Sequence, residues 1–216
     1  MEDHVVEVNG LYFPRKDTNL EKIRKDILTM TDAGPRYISQ FCKNKLTVVQ
    51  AGGNCGIYAR IYSEMFETVY TFEPDPVNFY CLVRNVKNSN VVKFQSCLGS
   101  EHKLVSVKID ENIIRKKGYN CGTFQVNGTG KIPVFKIDDL ELDHCDLLHL
   151  DIEGFEGFAL EGAIKTIQKF KPIICLEING LGKQYGWPQE RIYKFLENLN
   201  YKFEINTDND QVFLPC

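Results

Sequence analysis

The chain has 216 residues, of which 43% are hydrophobic and 25% are charged, and its formal net charge at pH 7 is −3. This length suits one well-buried core and is short for two domains. The net negative charge leaves no basic surplus for neutralising phosphates, so nucleic acid is not expected as a partner. No apolar run approaches the roughly 20 residues that cross a bilayer. The first ten residues carry acids and lack the long apolar core of a secretory signal. We therefore expect no membrane partner and a cytoplasmic location.

Eight cysteines are spread along the chain at wide, irregular intervals, without a Cys-x-x-Cys pair. Structural zinc sites usually show paired ligands at short spacing, whereas isolated cysteines usually serve as small buried hydrophobic residues. We therefore expect reduced thiols and no metal cofactor. One alternative stays open, a magnesium or calcium ion held by Asp151 and Glu153, because hard cations favour carboxylates.

The N-terminal segment has a helical pattern. Thr18 and Glu21 have the spacing of a capping box, and apolar residues then recur at helical intervals as far as Met30. Gly34-Pro35 is expected to end this helix, and a shorter one is expected over 36–42. We predict that residues 1–45 form a helical cap on the main domain.

Residues 46–216 show strands that alternate with helices. Strands are predicted at 46–51, 68–72, 91–98, 146–151 and 172–178, and helices at 57–66, 77–86, 155–170 and 188–199. Alternation of this kind is typical of an α/β domain with a single doubly wound, mostly parallel sheet. Two last strands, 201–205 and 211–214, flank a turn-forming segment and predict an antiparallel C-terminal hairpin.

Residues 111–131 interrupt this alternation between predicted strands at 104–109 and 132–137. The segment is rich in Gly, Asn and Lys, and so long a loop inside a compact domain is usually functional or disordered. We predict a flap over the active-site pocket whose closure excludes water. Its basic run, Arg115 to Lys117, would attract an anionic acceptor, although such a run is more often a solvated face.

The first candidate binding element is the loop from Gln50 to Gly56. Glycines let a backbone turn sharply and approach a ligand, and the following helix presents free N–H groups. Alone, this loop fits a tight turn without a ligand equally well. Glu73 ends the next predicted strand about 20 residues later, where α/β folds place the acid that binds ribose hydroxyls. The combination predicts a nucleoside-binding crevice, and the alternative is that Glu73 caps a helix, for which Asp75 is the better candidate.

The second candidate element is the strand that contains His149, Asp151 and Glu153. These polar residues alternate, so they share one face of an extended strand that is otherwise apolar. Buried acids are rare unless they are paired or functional, and this strand ends where open α/β sheets bind ligands. His149 is the first candidate for a general base, because an imidazole titrates near neutrality, and Asp151 is the second. The alternative for His149 is a structural hydrogen bond to the neighbouring acids.

Five short motifs in this order resemble those of FkbM-like methyltransferases, over about residues 46–180. They are Val49-Gln-Ala-Gly-Gly-Asn-Cys-Gly56, Thr71-Phe-Glu-Pro-Asp-Pro76, Ile137-Asp-Asp-Leu140, Leu150-Asp-Ile-Glu-Gly-Phe-Glu156 and the pair Lys171-Pro172 with Leu176-Glu-Ile178. The resemblance implies a class I methyltransferase fold, S-adenosylmethionine as cofactor and methylation of a hydroxyl on a sugar or other small-molecule or glycan acceptor.

The resemblance also implies roles for individual residues. The cofactor's methionine portion would lie against Gly52, Asn54 and Gly56, its ribose against Glu73 and its adenine near Ser96 and Cys97. Gly53, Asp151 and Glu153 are also expected to bind the cofactor. Two positions depart from the family pattern. Gln50 stands where the family usually has Asp, and His149 stands where it often has Lys.

Two other functions compete with this interpretation. One is a non-catalytic module that binds S-adenosylmethionine, which the loss of a carboxylate at Gln50 keeps open. The other is an N-methyltransferase that acts on a macromolecule. The sequence has no Asp/Asn-Pro-Pro-Tyr segment and is acidic, and both features argue against this second function.

Overall fold

The computed structural model describes residues 1–20, 30–207 and 210–216. Its strands are β1 (Val5–Val8), β2 (Leu11–Pro14), β3 (Thr47–Ala51), β4 (Thr68–Phe72), β5 (Val91–Phe94), β6 (Cys97–Leu98), β7 (Lys103–Lys108), β8 (Gln125–Thr129), β9 (Ile132–Phe135), β10 (Leu147–Leu150), β11 (Ile173–Glu177), β12 (Tyr201–Thr207) and β13 (Asp210–Pro215). Its α-helices are α1 (Met30–Ile38), α2 (Ile57–Ser63), α3 (Pro76–Asn85), α4 (Glu111–Lys117), α5 (Glu156–Glu161), α6 (Ile164–Phe170) and α7 (Gln189–Asn198).

The largest sheet has seven strands in the order β12-β13-β11-β10-β3-β4-β5. Strands β3, β4, β5, β10 and β11 are parallel, and β12 and β13 add an antiparallel hairpin beside β11 where the sequence predicted one. Buried apolar clusters cover both faces, which explains the β-branched and leucine-rich strands. The chain moves outward in opposite directions from β3 and β10, so a crevice opens at the carboxyl ends of these two strands.

The α/β class is confirmed, but the prediction of a single sheet is wrong. A four-stranded sheet, β6-β9-β7-β8, lies beside the main sheet, and β1 with β2 forms a third. The segment 91–98, predicted as one strand, divides because β5 ends at Phe94 and β6 pairs with β9 in the second sheet. An apolar pattern identifies a strand without identifying the strand that pairs with it.

The predicted helical cap starts instead with the β1–β2 hairpin. Its turn is Asn9-Gly10, and both residues have positive φ, 52° and 79°. An Asn-Gly pair between short apolar runs is a strong hairpin signal, so the sequence contained evidence for this turn. The boundary between residues 45 and 46 stays a prediction.

The helices differ from prediction in two places. Most of the helix predicted up to Met30 falls on 21–29, outside the described residues. Helix α1 continues through Gly34 and Pro35, which were expected to end it, and Ile38 is fully buried against the sheet and α2. Burial of this kind offsets the missing hydrogen bond at proline. The predicted helix 155–170 divides into α5 and α6 at Gly162, where an added Cβ would lie 2.0 Å from the Gly99 carbonyl oxygen.

No helix in the described part of the chain is long and apolar enough to span a membrane.

Candidate active site

The loop after β3 requires glycine for both its backbone angles and its close contacts. Gly52 has a φ of 84°, and an added Cβ would lie 1.9 Å from the Asp151 carbonyl oxygen. The backbone N–H groups of Gly52 and Gly53 both donate to the Phe72 carbonyl, at 3.1 and 2.8 Å. The loop therefore lies directly against the ends of β4 and β10. At Gly56 the absence of a side chain makes room for Val86, the residue that follows α3.

Gln50 supports this loop from inside the sheet. It is 1% exposed, its Oε1 accepts from the Thr71 hydroxyl at 2.6 Å, and its Nε2 donates to the Gly52 carbonyl at 2.9 Å. A carboxylate at this position would accept from Thr71 but would have no hydrogen for Gly52. The amide therefore has a defined structural role, in which it fixes the conformation of the glycine loop.

Glu73 lies at the end of β4 with its carboxylate buried. Its two oxygens accept from the backbone N–H groups of Asn54 and Asp75, at 2.7 and 2.8 Å. Burial raises the pKa of Glu73 to about 8, against the opposing effect of these two hydrogen bonds. The N-cap of α3 is Asp75, which accepts from Val77 and Asn78, so Glu73 is not the capping residue.

A cavity opens between the glycine loop, the end of β4 and the second sheet. The space inside it, including its open mouth, is about 670 Å³. Of the residues predicted to bind the cofactor, it is lined by Gly52, Asn54, Glu73, Ser96, Cys97, Asp151 and Glu153. Its apolar walls come mainly from Phe72, Leu98, Phe124, Val126 and Phe155.

Two buried polar atoms on the wall of this cavity have no hydrogen-bond partner among the described residues. They are Ser96 Oγ and Asn78 Oδ1. Buried polar atoms are normally paired, so both fit a ligand that supplies polar groups beside apolar surface, as an adenosyl group does. Sequence reasoning missed Asn78, although it is a polar residue one turn after the Glu73 motif. Its Nδ2 donates to the Cys121 carbonyl at 2.7 Å and so joins α3 to the segment that follows α4.

A second cavity lies on the other side of the glycine loop. Its walls include Gly53 together with residues of the N-terminal segment and of α2, among them Phe13, Asp17, Asn19, Ile57 and Tyr58. Gly52, Asn54, Cys121 and Asp151 line both cavities. The two cavities therefore meet at the glycine loop and at Asp151.

Three carboxylates cluster at this junction. One oxygen each from Asp151, Glu153 and Glu177 lies within 4.8 Å of the other two. Burial, followed by repulsion from neighbouring acids, raises the pKa of Glu153 and of Glu177 to about 7, and it raises the pKa of Asp151 well above its usual range. The amide of Asn179 donates to Glu177 at 2.8 Å and to Glu153 at 3.3 Å.

The sequence identified this cluster only in part. Strand β10 ends at Leu150 and Glu153 has a φ of 55°, so the extended alternation does not continue to Glu153. Glu177 was missed because it belongs to β11. The available signal was an acid at the carboxyl end of the next parallel strand, where neighbouring strand ends meet.

His149 does not line either cavity. Its side chain is 1% exposed, Nδ1 lies 2.7 Å from the Tyr62 hydroxyl, and Nε2 lies 3.4 Å from Asp210 Oδ2. The predicted role of His149 as general base therefore lacks a contact with the site. Asp151, two residues further along, has that contact and is the better candidate.

Residues 111–131 are more ordered than expected. They contain α4 and β8, and β8 pairs with β7 in the second sheet, so the prediction of a loop without secondary structure is wrong. The segment does cover the first cavity, through Cys121, Gly122, Phe124 and Val126. Arg115 lines neither cavity and lies 3.9 Å from the exposed Glu111. The basic run therefore gives no support for an anionic acceptor.

The sheet order, the glycine loop and the acid after β4 define a Rossmann-like nucleoside site of the kind found in S-adenosylmethionine-dependent methyltransferases. The sequence profile of the family described as "Methyltransferase FkbM domain" matches residues 51–203. The chain belongs to this family, which confirms the family and the cofactor, S-adenosylmethionine, that the motifs predicted. No curated protein matches the chain at a significant level.

One solved structure supports the fold, and two others are given beside it for comparison. A methyltransferase FkbM from Methylobacillus flagellatus has 17% identity and a TM-score of 0.54, over 82% of this chain and 45% of that one. The chain thus spans less than half the length of that protein. A precorrin-6y C5,15-methyltransferase from Geobacter metallireducens has 13% identity and a TM-score of 0.49, over 88% and 89% of the two chains. The magnesium protoporphyrin IX methyltransferase of Synechocystis, solved with bound SAH, has 11% identity and a TM-score of 0.49, over 93% and 88%.

Proposed function

We propose that the protein transfers a methyl group from S-adenosylmethionine to a hydroxyl oxygen of a sugar or other small-molecule or glycan acceptor, with Asp151 as the general base. The observation that carries this proposal is the position of Asp151 at the junction of the two cavities. One cavity suits the cofactor and the other suits an acceptor, and both are lined by Asp151 and the glycine loop.

The first cavity has the groups that an adenosyl ligand needs. Glu73 is placed to accept from ribose hydroxyls, and the unpartnered atoms of Asn78 and Ser96 are available to further polar groups. The apolar walls suit a purine ring. When bound, the cofactor supplies an electrophilic methyl group on a sulfonium sulfur.

The protein's main contribution to such a displacement is alignment of the acceptor with the methyl carbon. A hydroxyl acceptor must also lose its proton, which requires a base within hydrogen-bond reach. Asp151 meets this requirement from the cavity junction, and its raised pKa makes it a stronger base than a solvated carboxylate. Glu153 and Glu177 lie close enough to share or pass on the proton that Asp151 accepts.

The second cavity offers the acceptor mixed polar and aromatic surface. Asp17, Asn19 and Asn120 provide hydrogen-bonding groups, and Phe13 and Tyr58 provide aromatic faces. Hydrogen-bonding groups beside aromatic rings fit a polyhydroxyl ring. A cytoplasmic location is part of this proposal and is supported by the eight cysteines, all within the described residues, which are free thiols.

The test measures transfer of a labelled methyl group from S-adenosylmethionine to a panel of sugars and glycosides, alongside amine and macromolecular acceptors. For the acceptor that responds, Asp151→Asn should lower kcat by roughly 100-fold to 10,000-fold, the usual contribution of a general base. The affinity for S-adenosylhomocysteine, measured by calorimetry, should change far less. Glu64→Gln is the matched control, because Glu64 is a surface acid paired with Arg36.

Three outcomes would contradict the proposal. Full activity of Asp151→Asn would remove Asp151 as the base. Transfer only to nitrogen or to a macromolecule would replace the acceptor class. Tight cofactor binding with no transfer to any acceptor would favour the non-catalytic module.

A further inference from the structure

Beneath the cavity junction, three side chains of different types converge on one face of the main sheet. His149 on β10 is the register neighbour of Cys175 on β11, and Cys175 is the neighbour of Val212 on β13. Asp210 lies two residues before Val212 and so projects from the same face. One imidazole nitrogen, the thiol sulfur and one carboxylate oxygen all lie within 4.8 Å of one another.

The imidazole of His149 has an unused nitrogen directed at this group. Its Nε2 is buried and has no hydrogen-bond partner among the described residues, since the 3.4 Å separation from Asp210 Oδ2 is too long for a good N–H···O bond. Nδ1 lies 2.7 Å from the Tyr62 hydroxyl. A tautomer that carries its proton on Nδ1 would donate to Tyr62 and leave the Nε2 lone pair free. Metal-binding histidines show this arrangement, with the second ring nitrogen held by a neighbouring group.

We propose that His149, Cys175 and Asp210 form a zinc site. A nitrogen, a thiolate sulfur and a carboxylate oxygen are the three ligand types that zinc takes in proteins, at about 2.0–2.3 Å. Three atoms no more than 4.8 Å apart share a central point within roughly 2.8 Å of each, so a small contraction brings all three to bonding distance. The side chain of Asp210 is 15% exposed, which gives the ion a route from solvent and a position for a water as fourth ligand.

The electrostatic surroundings favour a cation at this point. Glu177 is the register partner of Asp210, so a further carboxyl group lies beside the three ligands and favours a cation there. Binding would release the proton of the Cys175 thiol, because the thiolate is the ligand. The ion would tie β10 and β11 to the C-terminal hairpin, two residues away from Asp151. The zinc site is independent of the proposed methyl transfer. The spacing of the cysteines in the sequence gave no sign of it, because the three ligands lie far apart in the sequence, on strands that are neighbours only in the folded sheet.

The test uses the reduced protein after removal of metals by a chelator. Calorimetric titration with ZnCl2 should show one site, with a binding enthalpy that varies with the ionisation enthalpy of the buffer because a proton is released. CoCl2 should produce a thiolate-to-cobalt charge-transfer band. Cys175→Ala should abolish that band, whereas Cys145→Ala, at a buried cysteine on the opposite face of the sheet, should keep it.

Two milder variants keep the proposal falsifiable if Cys175→Ala fails to fold. Tyr62→Phe removes the group that orients His149 and should weaken zinc binding by roughly 10-fold to 100-fold. Asp210→Asn removes a ligand at a partly exposed position and should weaken it at least as much. The proposal is overturned if the wild-type protein shows no saturable zinc binding, or if the cobalt band is absent or survives in Cys175→Ala. Zinc affinity unchanged in Asp210→Asn would also overturn it.

Discussion

The buried carboxylate of Glu73 should make nucleoside binding depend on pH. Burial raises its pKa to about 8, and ribose hydroxyls donate best to the ionised form. If only the ionised form binds, the apparent Kd is the intrinsic Kd divided by the ionised fraction. That fraction is about 1% at pH 6 and about 90% at pH 9, two units below and one unit above the pKa. Affinity should therefore rise by about 90-fold from pH 6 to pH 9 and then level off.

The assay is calorimetric titration with 5′-methylthioadenosine, which carries the ribose and base of the cofactor and no group that titrates in this range. Glu73→Gln should bind more weakly at pH 9 and show a much smaller slope between pH 6 and pH 9, where the remaining dependence would come from Glu153, which lines the same cavity and has a pKa of about 7. Glu64→Gln, at an exposed acid, should keep the wild-type slope. A flat wild-type profile, or an equal slope in Glu73→Gln, would refute the assignment of Glu73 to the ribose.

The same group should make the protein less stable as pH rises. The folded pKa of Glu73 is higher than the unfolded one, so the folded state binds more protons and the free energy of unfolding falls between the two values. The difference between about 8 and 4.5 corresponds to about 5 kcal/mol at most, lost from pH 4.5 to pH 8. Urea unfolding across this range should show a shallower fall for Glu73→Gln than for the wild type.

Two glycines at close contacts give further predictions. Gly52→Ala places a Cβ 1.9 Å from the Asp151 carbonyl oxygen and should abolish binding of S-adenosylhomocysteine by calorimetry, whereas Gly128→Ala, also at positive φ but with no neighbour within 4 Å, should leave it unchanged. Gly157→Ala places a Cβ 2.1 Å from the Trp187 ring and should lower the free energy of unfolding in urea by roughly 1–3 kcal/mol, the usual cost of overpacking. Stability equal to wild type would show that the ring can shift.

The sequence predicted the site residues that directly follow a strand of the parallel sheet. Gly52 and Glu73 follow neighbouring parallel strands, and the carboxyl ends of such strands must meet at one edge of the sheet. Glu177 and Asn78 were missed because their proximity depends on how β11 and α3 pack against that edge. The alternation that grouped His149 with Asp151 was correct for the strand face. The alternation could not show that, along β10, the residues lining the cavities begin only after Leu150, so that His149 lies outside them.

The two departures from the family pattern are direct neighbours, and this leads to a last prediction. Gln50 and His149 are register partners on β3 and β10, and both are buried. The family's Asp and Lys at these positions would form an ion pair, whereas in this chain Gln50 is hydrogen-bonded to Thr71 and His149 to Tyr62. Gln50→Asp alone would bury a carboxylate without a lysine partner, which costs roughly 3–5 kcal/mol, whereas a lysine at position 149 would still have Asp210 beside it.

Gln50→Asp should therefore lower the free energy of unfolding, and the double variant with His149→Lys should recover a large part of the loss. Urea unfolding with a chelator present gives the coupling energy as the departure of the double variant from the sum of the single ones. A coupling energy of several kcal/mol would show that Gln50 and His149 compensate each other. The loss of the carboxylate at Gln50 would then be no evidence for a non-catalytic module. Additive losses would refute this argument, because independent substitutions at neighbouring positions would then have lost the family's charges for separate reasons.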